Sequence, residues 1–555
     1  MNLKEEVKAL IQGDVFDDDK TLEEYSEDKS IFKIKPKLVV FPRDDNDIVK
    51  LVEFVRQKRS RGEYLTLTAR SAGTDMSGGP LTESILIVLT KYLNQIKEIN
   101  DDSAIVQPGV YYHDFEKETL KKNLIMPSYP ASKNLCALGG MIANDSGGEL
   151  SLQYGKTHNF VLGLKIVLVD GLEYYFEKLN KEQLEKKLVQ NNFEGEIYRQ
   201  TYELIKNNFD LIEKSKPLVH KNSSGYNIWD VYKPARPDQP ESYFDLTKLF
   251  VGSQGTLGLI TEVKVGLVKR KKFEKLYIVL TQANDLNRLP DFVNDVLRIK
   301  PDSFEVTDKN TFKLFLKYAR EMASLLGGRG LLSTARMFLP EALMIAKRLS
   351  LPDLIILVDF WSDDENELET KIKSLEKIVN NYGFGGRLCR NQTEIEKYWR
   401  LRRDTFKLLR EKIKNKLAAP FIDDLIVRPE NLPEFLPRLY KILDQAKIFY
   451  TISGHIGEGN LHIIPLVDMT SETERKKIFE VTDKVYDLVI QYHGSLSAEH
   501  NDGLIRGPYL KQEFGDQVFD LFVQIKKIFD PDNIFNPHKK TNADKNYSFS
   551  WIRKS

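Results

Sequence analysis

Hydrophobic and polar positions alternate in two registers along the first half of the chain. From Lys37 the text runs LVVFP, DIVKLVEFVRQKRS, YLTLTAR and SILIVLT, strand-like units separated by a helix-like one with Asp or Asn available to cap it. A second block, SAIVQPGV, GLKIVLVDG and GLITEVKVGLV, is rich in β-branched residues and ends near Val268. After KRKKF the pattern changes. YIVLT, LIILVDFW and IFYTISGH predict strands, and EIEKYWRLRRDTFKLLREKIK and DENELETKIKSLEKIVNNY predict long helices between them. This rhythm predicts an α/β or α+β chain with a boundary near residue 270. The expected units are a helical segment 1–36, domains 37–268 and 269–542, and a polar tail 543–555. The final helix, DQVFDLFVQIKKIFDP, leads into NIFNPHKK, with order expected to about Lys540 and a loose end beyond.

Length and charge narrow the class. At 555 residues the chain suggests two or three domains. The 82 basic and 81 acidic residues cancel to +1, which argues against a nucleic-acid binder. Two cysteines, Cys136 and Cys389, provide neither a disulfide scaffold nor a set of iron-sulfur ligands, and a reducing, cytoplasmic setting is expected. The N-terminus lacks an apolar signal core and no run of about 18 apolar residues occurs, so no transmembrane segment is expected. Peripheral contact with the inner face of a membrane stays open.

Three glycine-rich loops follow strands of the first half: RSAGTDMSGGP, LGGMIANDSGGELSLQYG and VGSQGTLGLITE. Glycines let successive N–H groups point one way and cradle phosphate oxygens; a plain surface loop is the alternative for each taken alone. Neither the P-loop lysine nor a GxGxxG helix opening is present. Three such loops together suggest a large cofactor lying along the backbone.

The ordered series PKLVVFPRDDNDIVKLVEFV, ARSAGTDMSGG, PGVYYHDFEK, PASKNLCALGGMIANDSGG, QYGKTHNFVLGLKIVLVDG, KNSSGYNI and GSQGTLGLITE resembles the FAD-binding domain of the vanillyl-alcohol oxidase-like flavoproteins. The resemblance implies a two-subdomain FAD-binding domain over 37–268. It sets Ser71, Ala72, Gly73, Thr74 and Asp75 against the FAD pyrophosphate, with Ser77 nearby. Pro130, Ser132, Gly139, Gly140, Asn144, Gly147, Gly148 and Ile260 would line the rest. Some relatives tether the flavin through a histidine where Thr74 stands, so non-covalent FAD is expected.

Eight histidines serve the whole chain, and two of them flank a glycine-rich bend in GHIGEGNLH. If Gly457 to Asn460 form a four-residue hairpin loop, His455 faces His462 across the strands, with Cβ atoms roughly 5 Å apart. Such a pair can close on one metal ion or one substrate; two polar residues near a turn are the alternative. In GSLSAEHNDGLIRGP, Glu499 and His500 are adjacent and point apart if the segment is extended, so one could bind a metal while the other addresses the substrate.

GHIGEGNLH, SAEHNDG and FDPDNIFNPHK resemble the C-terminal substrate domain of FAD-linked oxidases, the group of D-lactate, glycolate and D-2-hydroxyglutarate dehydrogenases. The resemblance implies an antiparallel sheet covered by helices over 269–542. It makes His455, His462 and Glu499 ligands of a divalent cation, zinc or manganese, and His500 the general base. Arg402 matches the arginine that holds the substrate carboxylate, and Asn536 a position at the flavin end of the site. A cation lowers the pKa of a bound hydroxyl, imidazole accepts the proton near neutral pH, and arginine grips a carboxylate bidentately. Hydride would pass to flavin N5. The expected fold class is therefore α+β, and the expected function FAD-dependent oxidation of a D-2-hydroxy acid to the 2-oxo acid.

Three positions depart from the D-2-hydroxyglutarate pattern. Ile464 replaces an asparagine, Phe406 a threonine, and PFIDDLIVRP lacks a lysine. Arg506 is a candidate for a second substrate carboxylate or a surface arginine. PFIDDLIVRPENLPEFL and AEHNDGLIRGPYL look most like a subgroup whose chains continue into an iron-sulfur domain. With two cysteines here, electrons are expected to leave to a quinone, an electron-transfer protein or a separate iron-sulfur subunit. The rival readings are a flavoprotein oxidase acting on another alcohol and a non-catalytic flavin subunit of an electron-transfer complex.

Overall fold

The computed structural model describes residues 2–235, 241–282, 287–317, 351–412 and 416–554, with side chains of 314–316 and 404–412 excepted. Phe406 lies outside the described side chains. Four strands, Asp14–Phe16 (β1), Leu38–Phe41 (β2), Leu67–Arg70 (β3) and Ile85–Val88 (β4), form a sheet in the order β1-β2-β4-β3. β4 runs parallel to both β2 and β3. The helix Asp45–Ser60 joins β2 to β3. Asp44 caps it by accepting from the Asp47 N–H at 3.0 Å, acids occupy its first turn and Lys58 and Arg59 its last. Ile48, Leu51, Val52 and Val55 are buried at one-face spacing, which docks the helix on the sheet.

A five-stranded antiparallel sheet follows: Ile96–Ile99 (β5), Ser103–Val106 (β6), Val161–Val167 (β7), Glu173–Glu177 (β8) and Leu259–Gly266 (β9), ordered β5-β6-β9-β7-β8. β9 buries every second residue from Leu259 to Val265, leaving Ile260 on the opposite face.

An eight-stranded antiparallel sheet carries the second half. Its strands are Phe273–Thr281 (β10), Ser303–Asp308 (β11), Leu354–Ser362 (β12), Gly385–Leu388 (β13), Leu417–Ala418 (β14), Leu425–Ile426 (β15), Phe449–His455 (β16) and Asn460–Val467 (β17). The order is β13-β10-β12-β11-β16-β17-β14, with β15 also on β17. One face packs under helices Leu289–Leu297, Glu365–Asn381, Leu432–Ala446 and Glu472–Gln491. The other packs Leu276, Ile278 and Leu357 against Ile395 and Trp399 of the helix Gln392–Lys412. The fold is α+β, as the alternating patterns predict.

Both chain ends depart from expectation. The first 36 residues are not only helical: β1 pairs antiparallel with β2, and the buried Asp47 carboxylate accepts from the Gln12, Gly13 and Arg43 N–H groups. The tail is docked rather than loose. Asp544 caps the helix Lys545–Ser550, Ile552 bridges Phe32, and buried Arg553 donates to the carbonyls of Phe32 and Asp28 at 3.0 Å. Its apolar Ile552, beside that satisfied guanidinium, explains why a polar-looking tail stays down. The helix Leu510–Phe529 returns to the first half, where Phe522 and Phe529 sit in the core with Phe250 and Trp229. The two halves therefore share a wall. Among the described residues no helix is long and apolar enough to cross a membrane.

Candidate active site

A cavity of about 550 Å³ opens between the halves, within the range of sites that bury a cofactor or substrate. Its first-half lining includes Ser71, Ala72, Gly73, Thr74, Asp75, Pro130, Ser132, Gly139, Gly140, Asn144, Gly147 and Ile260. Gly73 has φ +68, and a Cβ there would lie 2.3 Å from Arg70 Nη2, so the turn after β3 requires glycine. The Asp75 carboxylate closes the same loop, accepting from the N–H groups of Ser77 (2.9 Å) and Gly79 (2.8 Å) and from Asn144 Nδ2 (2.7 Å). A Cβ at Gly140 would find only Ser71 Cβ at 3.8 Å, and one at Gly255 only Ala69 Cβ at 3.9 Å. At both points bare backbone faces the cavity, which fits a flat ligand pressed against the chain.

Three residues expected at the cofactor stand behind this wall. Ser77 is fully buried and bonds its hydroxyl to Asp75, because the tight turn folds it inward. Gly148 serves backbone packing: a Cβ would lie 2.0 Å from the Tyr129 carbonyl oxygen. Asn536 is a clamp, donating through Nδ2 to the carbonyls of Gly79 (3.0 Å) and Gln254 (2.7 Å) and accepting from Thr68 Oγ1 (3.1 Å). None of the three lines the cavity. Gln254, Gly255 and Gly258 do line it, beside GTLGLI, where glycine spacing was the available signal.

The second half contributes Arg402, Arg403, Asp423, Thr451, Ser453, His462, Ile464, Glu499 and His500. The hairpin register differs from expectation. Ser453 pairs with His462 and His455 with Asn460, because Ile456–Glu458 form a 3-10 turn and Gly459, at φ +75, returns the chain one residue earlier than a loop at 457–460 would. The two histidines are diagonal neighbours on one face, with ring centroids 5.2 Å apart. Glu499 and His500 are not extended either. Asp424, at φ +65, turns its Oδ2 to accept both their N–H groups, at 2.9 and 2.6 Å, and this bend brings both side chains to one cavity.

Glu499 Oε1 lies 3.0 Å from His455 Nε2 and 3.4 Å from His462 Nε2. Tetrahedral ligands at about 2.0–2.1 Å from a zinc ion stand roughly 3.3 Å apart, so the Glu499 carboxylate stands at ligand spacing from each of the two histidines. The outer nitrogens are fixed: His455 Nδ1 lies 2.5 Å from Glu305 Oε1, and His462 Nδ1 lies 3.1 Å from Asp423 Oδ1. A second grouping, Asp424, His462, Glu499 and His500, has ligand atoms within 4.8 Å of one another and omits His455. Asp424 is a poor ligand there, since Oδ2 already accepts from Ser497, Glu499 and His500 and Oδ1 from Asn460. His455 itself does not line the cavity.

Charge tunes the cluster. Burial favours neutral His462, yet Asp423 and then Glu499 outweigh it and push the imidazole up to about 10. Burial opposes ionised Glu499, and Lys221 and His455 overcome it, holding the carboxyl well below the usual range. His500 stacks on His462 at 4.9 Å, with Nδ1 2.7 Å from Asp423 Oδ2 but out of line for a hydrogen bond. Asp423 thus faces both imidazoles. Neither it, Glu305 nor Lys221 was identified from sequence; the pair Asp423-Asp424 inside the apolar run PFIDDLIV was the visible trace.

Arg402 reaches the cavity with Nε bonded to Glu305 Oε2 at 3.0 Å, and Arg403 pairs through two nitrogens with Glu149. Arg506 is neither a surface arginine nor a cavity residue. It is fully buried, donating to the carbonyls of Asn501 (2.8 Å) and Asp423 (2.6 Å), which braces the loop that holds Asp423.

Comparison with known proteins bears on this architecture. Residues 36–174 match the family described as FAD binding domain, and residues 278–540 match FAD linked oxidases, C-terminal domain. The D-2-hydroxyglutarate dehydrogenase of Escherichia coli (strain K12) is 28% identical over 527 residues, covering 93% of this chain and 49% of the relative. This chain therefore spans about half the length of that relative. The glycolate oxidase subunit GlcD of Bacillus subtilis (strain 168) is 26% identical over 527 residues, covering 92% of this chain and 90% of the relative. The solved structure of p-cresol methylhydroxylase with substrate bound superposes with a TM-score of 0.66 at 15% identity, covering 98% of this chain and 96% of that one, which shows a shared fold. The glycine-loop wall thus lies in and beside the region that matches the FAD binding domain, and the histidine hairpin lies in the region that matches the C-terminal domain of FAD linked oxidases.

Proposed function

We propose that this protein is a FAD-dependent dehydrogenase that oxidises a D-2-hydroxy acid, of the lactate, glycolate or 2-hydroxyglutarate class, to the 2-oxo acid. One observation carries the reading: Arg402, His462, Glu499 and His500 open into the same cavity as the three glycine-rich loops. The similarity to a D-2-hydroxyglutarate dehydrogenase and a glycolate oxidase subunit supports it.

Residues 71–75, Pro130, Ser132, Gly139, Gly140, Asn144, Gly147 and Ile260 would hold FAD without a covalent bond. Bound FAD supplies a hydride acceptor, N5, for the substrate Cα hydrogen. His455, His462 and Glu499 would hold a divalent cation, zinc or manganese, which supplies acidification of the substrate hydroxyl. Arg402, its Nε kept in place by Glu305, would pair with the substrate carboxylate through its terminal nitrogens and so fix the Cα in position. His500 would accept the hydroxyl proton at Nε2. Asp423, 2.7 Å from Nδ1, would stabilise the imidazolium as it forms. Electrons would then leave the flavin for a quinone, an electron-transfer protein or an iron-sulfur centre.

The test is anaerobic. Protein reconstituted with FAD and either zinc or manganese is mixed with a panel of D- and L-2-hydroxy acids, and flavin absorbance is followed. Bleaching by D acids, abolished by a chelator and restored by metal, is the expected result; no bleaching by any acid in the presence of metal refutes the reading.

A further inference from the structure

Beyond His462 the substrate end of the cavity turns apolar along a single strand. Ile464 is the next residue on the same face of β17, about 6.6 Å further on. Across the ladder Ser453 opposes His462 and Thr451 opposes Ile464, and all four line the cavity. Leu466 continues the face, and Ile464 and Leu466 cluster with Ala418 and Met76, the last also a lining residue. The wall thus changes from imidazole to aliphatic within one strand step.

This geometry bears on the part of a 2-hydroxy acid that does not react, and the inference rests on the hydroxy-acid reading above. With the first carboxylate at Arg402 and the hydroxyl at the histidines, the third carbon and its substituents take the remaining space. A second carboxylate directed along β17 would lie against Ile464 and Met76, with the neutral hydroxyls of Thr451 and Ser453 opposite and no cation on this wall to pair with it, a costly desolvation. Of the other cations among the described lining residues, Arg403 is engaged by Glu149, Arg70 donates to the Glu27 carbonyl, and Lys29 stands on the glycine-loop side, where its backbone N–H bonds the Asp75 carbonyl.

We propose that Ile464, Thr451 and Met76 select a 2-hydroxy monocarboxylate with an uncharged aliphatic chain over a 2-hydroxy dicarboxylate. Anaerobic stopped-flow reduction of the FAD- and metal-loaded protein by D-lactate, D-2-hydroxybutyrate and D-2-hydroxyvalerate is compared with D-malate and D-2-hydroxyglutarate. The monocarboxylates are expected to reduce the flavin at least about tenfold more efficiently, the discrimination of a wall that leaves a charge unpaired. Ile464→Asn and Ile464→Lys should shift the ratio toward the dicarboxylates, with FAD content measured on each variant. Preferred reduction by D-2-hydroxyglutarate or D-malate in the wild type overturns the selectivity while leaving the dehydrogenase reading intact. An unchanged ratio in both folded variants likewise removes Ile464 from the role. Reduction by none of the acids defeats the dehydrogenase reading and this inference with it. Should neither variant fold, the wild-type ratio alone decides.

Discussion

Lys221 and Glu499 form an ion pair of 2.8 Å, and Lys221 is entirely withdrawn from solvent. Lys221 also reaches Glu458 at 2.8 Å, so one ammonium neutralises two buried carboxylates. Gly147 allows the approach, since a Cβ there would stand 2.7 Å from Glu499 Oε2. Lys221→Met should therefore strand both carboxylates and cost about 3–5 kcal/mol in denaturant unfolding. A loss under about 1 kcal/mol would mean that the carboxylates find other partners or protons.

Asp423 faces His462 with one oxygen and His500 with the other. Asp423→Asn keeps the size but removes the charge that favours both imidazolium forms. Outer carboxylates of this kind are worth about 10- to 100-fold in metal affinity or activity. The variant should retain FAD and lose flavin reduction by roughly that factor, with weaker zinc retention in a chelator titration. Unchanged reduction kinetics would confine Asp423 to a packing role.

His462→Ala separates the two halves of the proposed site. FAD absorbance should persist, because the glycine loops lie in the first half, whereas bound metal and substrate reduction should both be lost. Loss of FAD instead would make His462 a structural residue of the cavity wall.

Much of this arrangement is legible in the sequence because local rules act on contiguous residues. The period-2 alternation of Leu259–Gly266 and the one-face spacing of Ile48, Leu51, Val52 and Val55 mark strand and helix directly. The histidine register is not legible at that level. Whether the turn spans 456–459 or 457–460 depends on Gly459 adopting φ +75 and on Asn460 bonding Asp424, 36 residues earlier. Asp423, Glu305 and Lys221 escape for a related reason: each meets its histidine or carboxylate across a long sequence separation, with no spacing to betray it. Asn536 and Ser77 mislead in the other direction, since polar residues beside a cofactor loop can equally tie the loop to itself.

Thr74 tests the placement of the flavin. It lines the cavity one residue beyond the left-handed Gly73, in the loop expected at the pyrophosphate. Thr74→Leu adds bulk where the ligand must approach backbone closely, and should empty the flavin site while leaving the fold intact by circular dichroism. Purification with a full complement of FAD would move the pyrophosphate elsewhere.

Glu513, outside the cavity, provides a pH test. Burial, and then the nearby Asp502, push its carboxyl up to about 8 from an ordinary 4.5. Oε1 accepts the Leu496 N–H at 3.1 Å, Oε2 has no hydrogen-bond partner, and Asp502 is itself paired with buried Lys540 at 2.7 Å. Below pH 4.5 the group is protonated folded and unfolded alike and has no effect on stability. Between 4.5 and 8 the folded chain holds a proton that the unfolded chain releases, so stability falls as pH rises through this window, by on the order of a few kcal/mol in all. Glu513→Gln keeps an acceptor for Leu496 and removes the titration. Its stability in urea should match the wild type at pH 4.5 and exceed it increasingly up to pH 8. Parallel pH profiles for the two proteins would show that Glu513 ionises normally, with water or a movement of Asp502 relieving the burial.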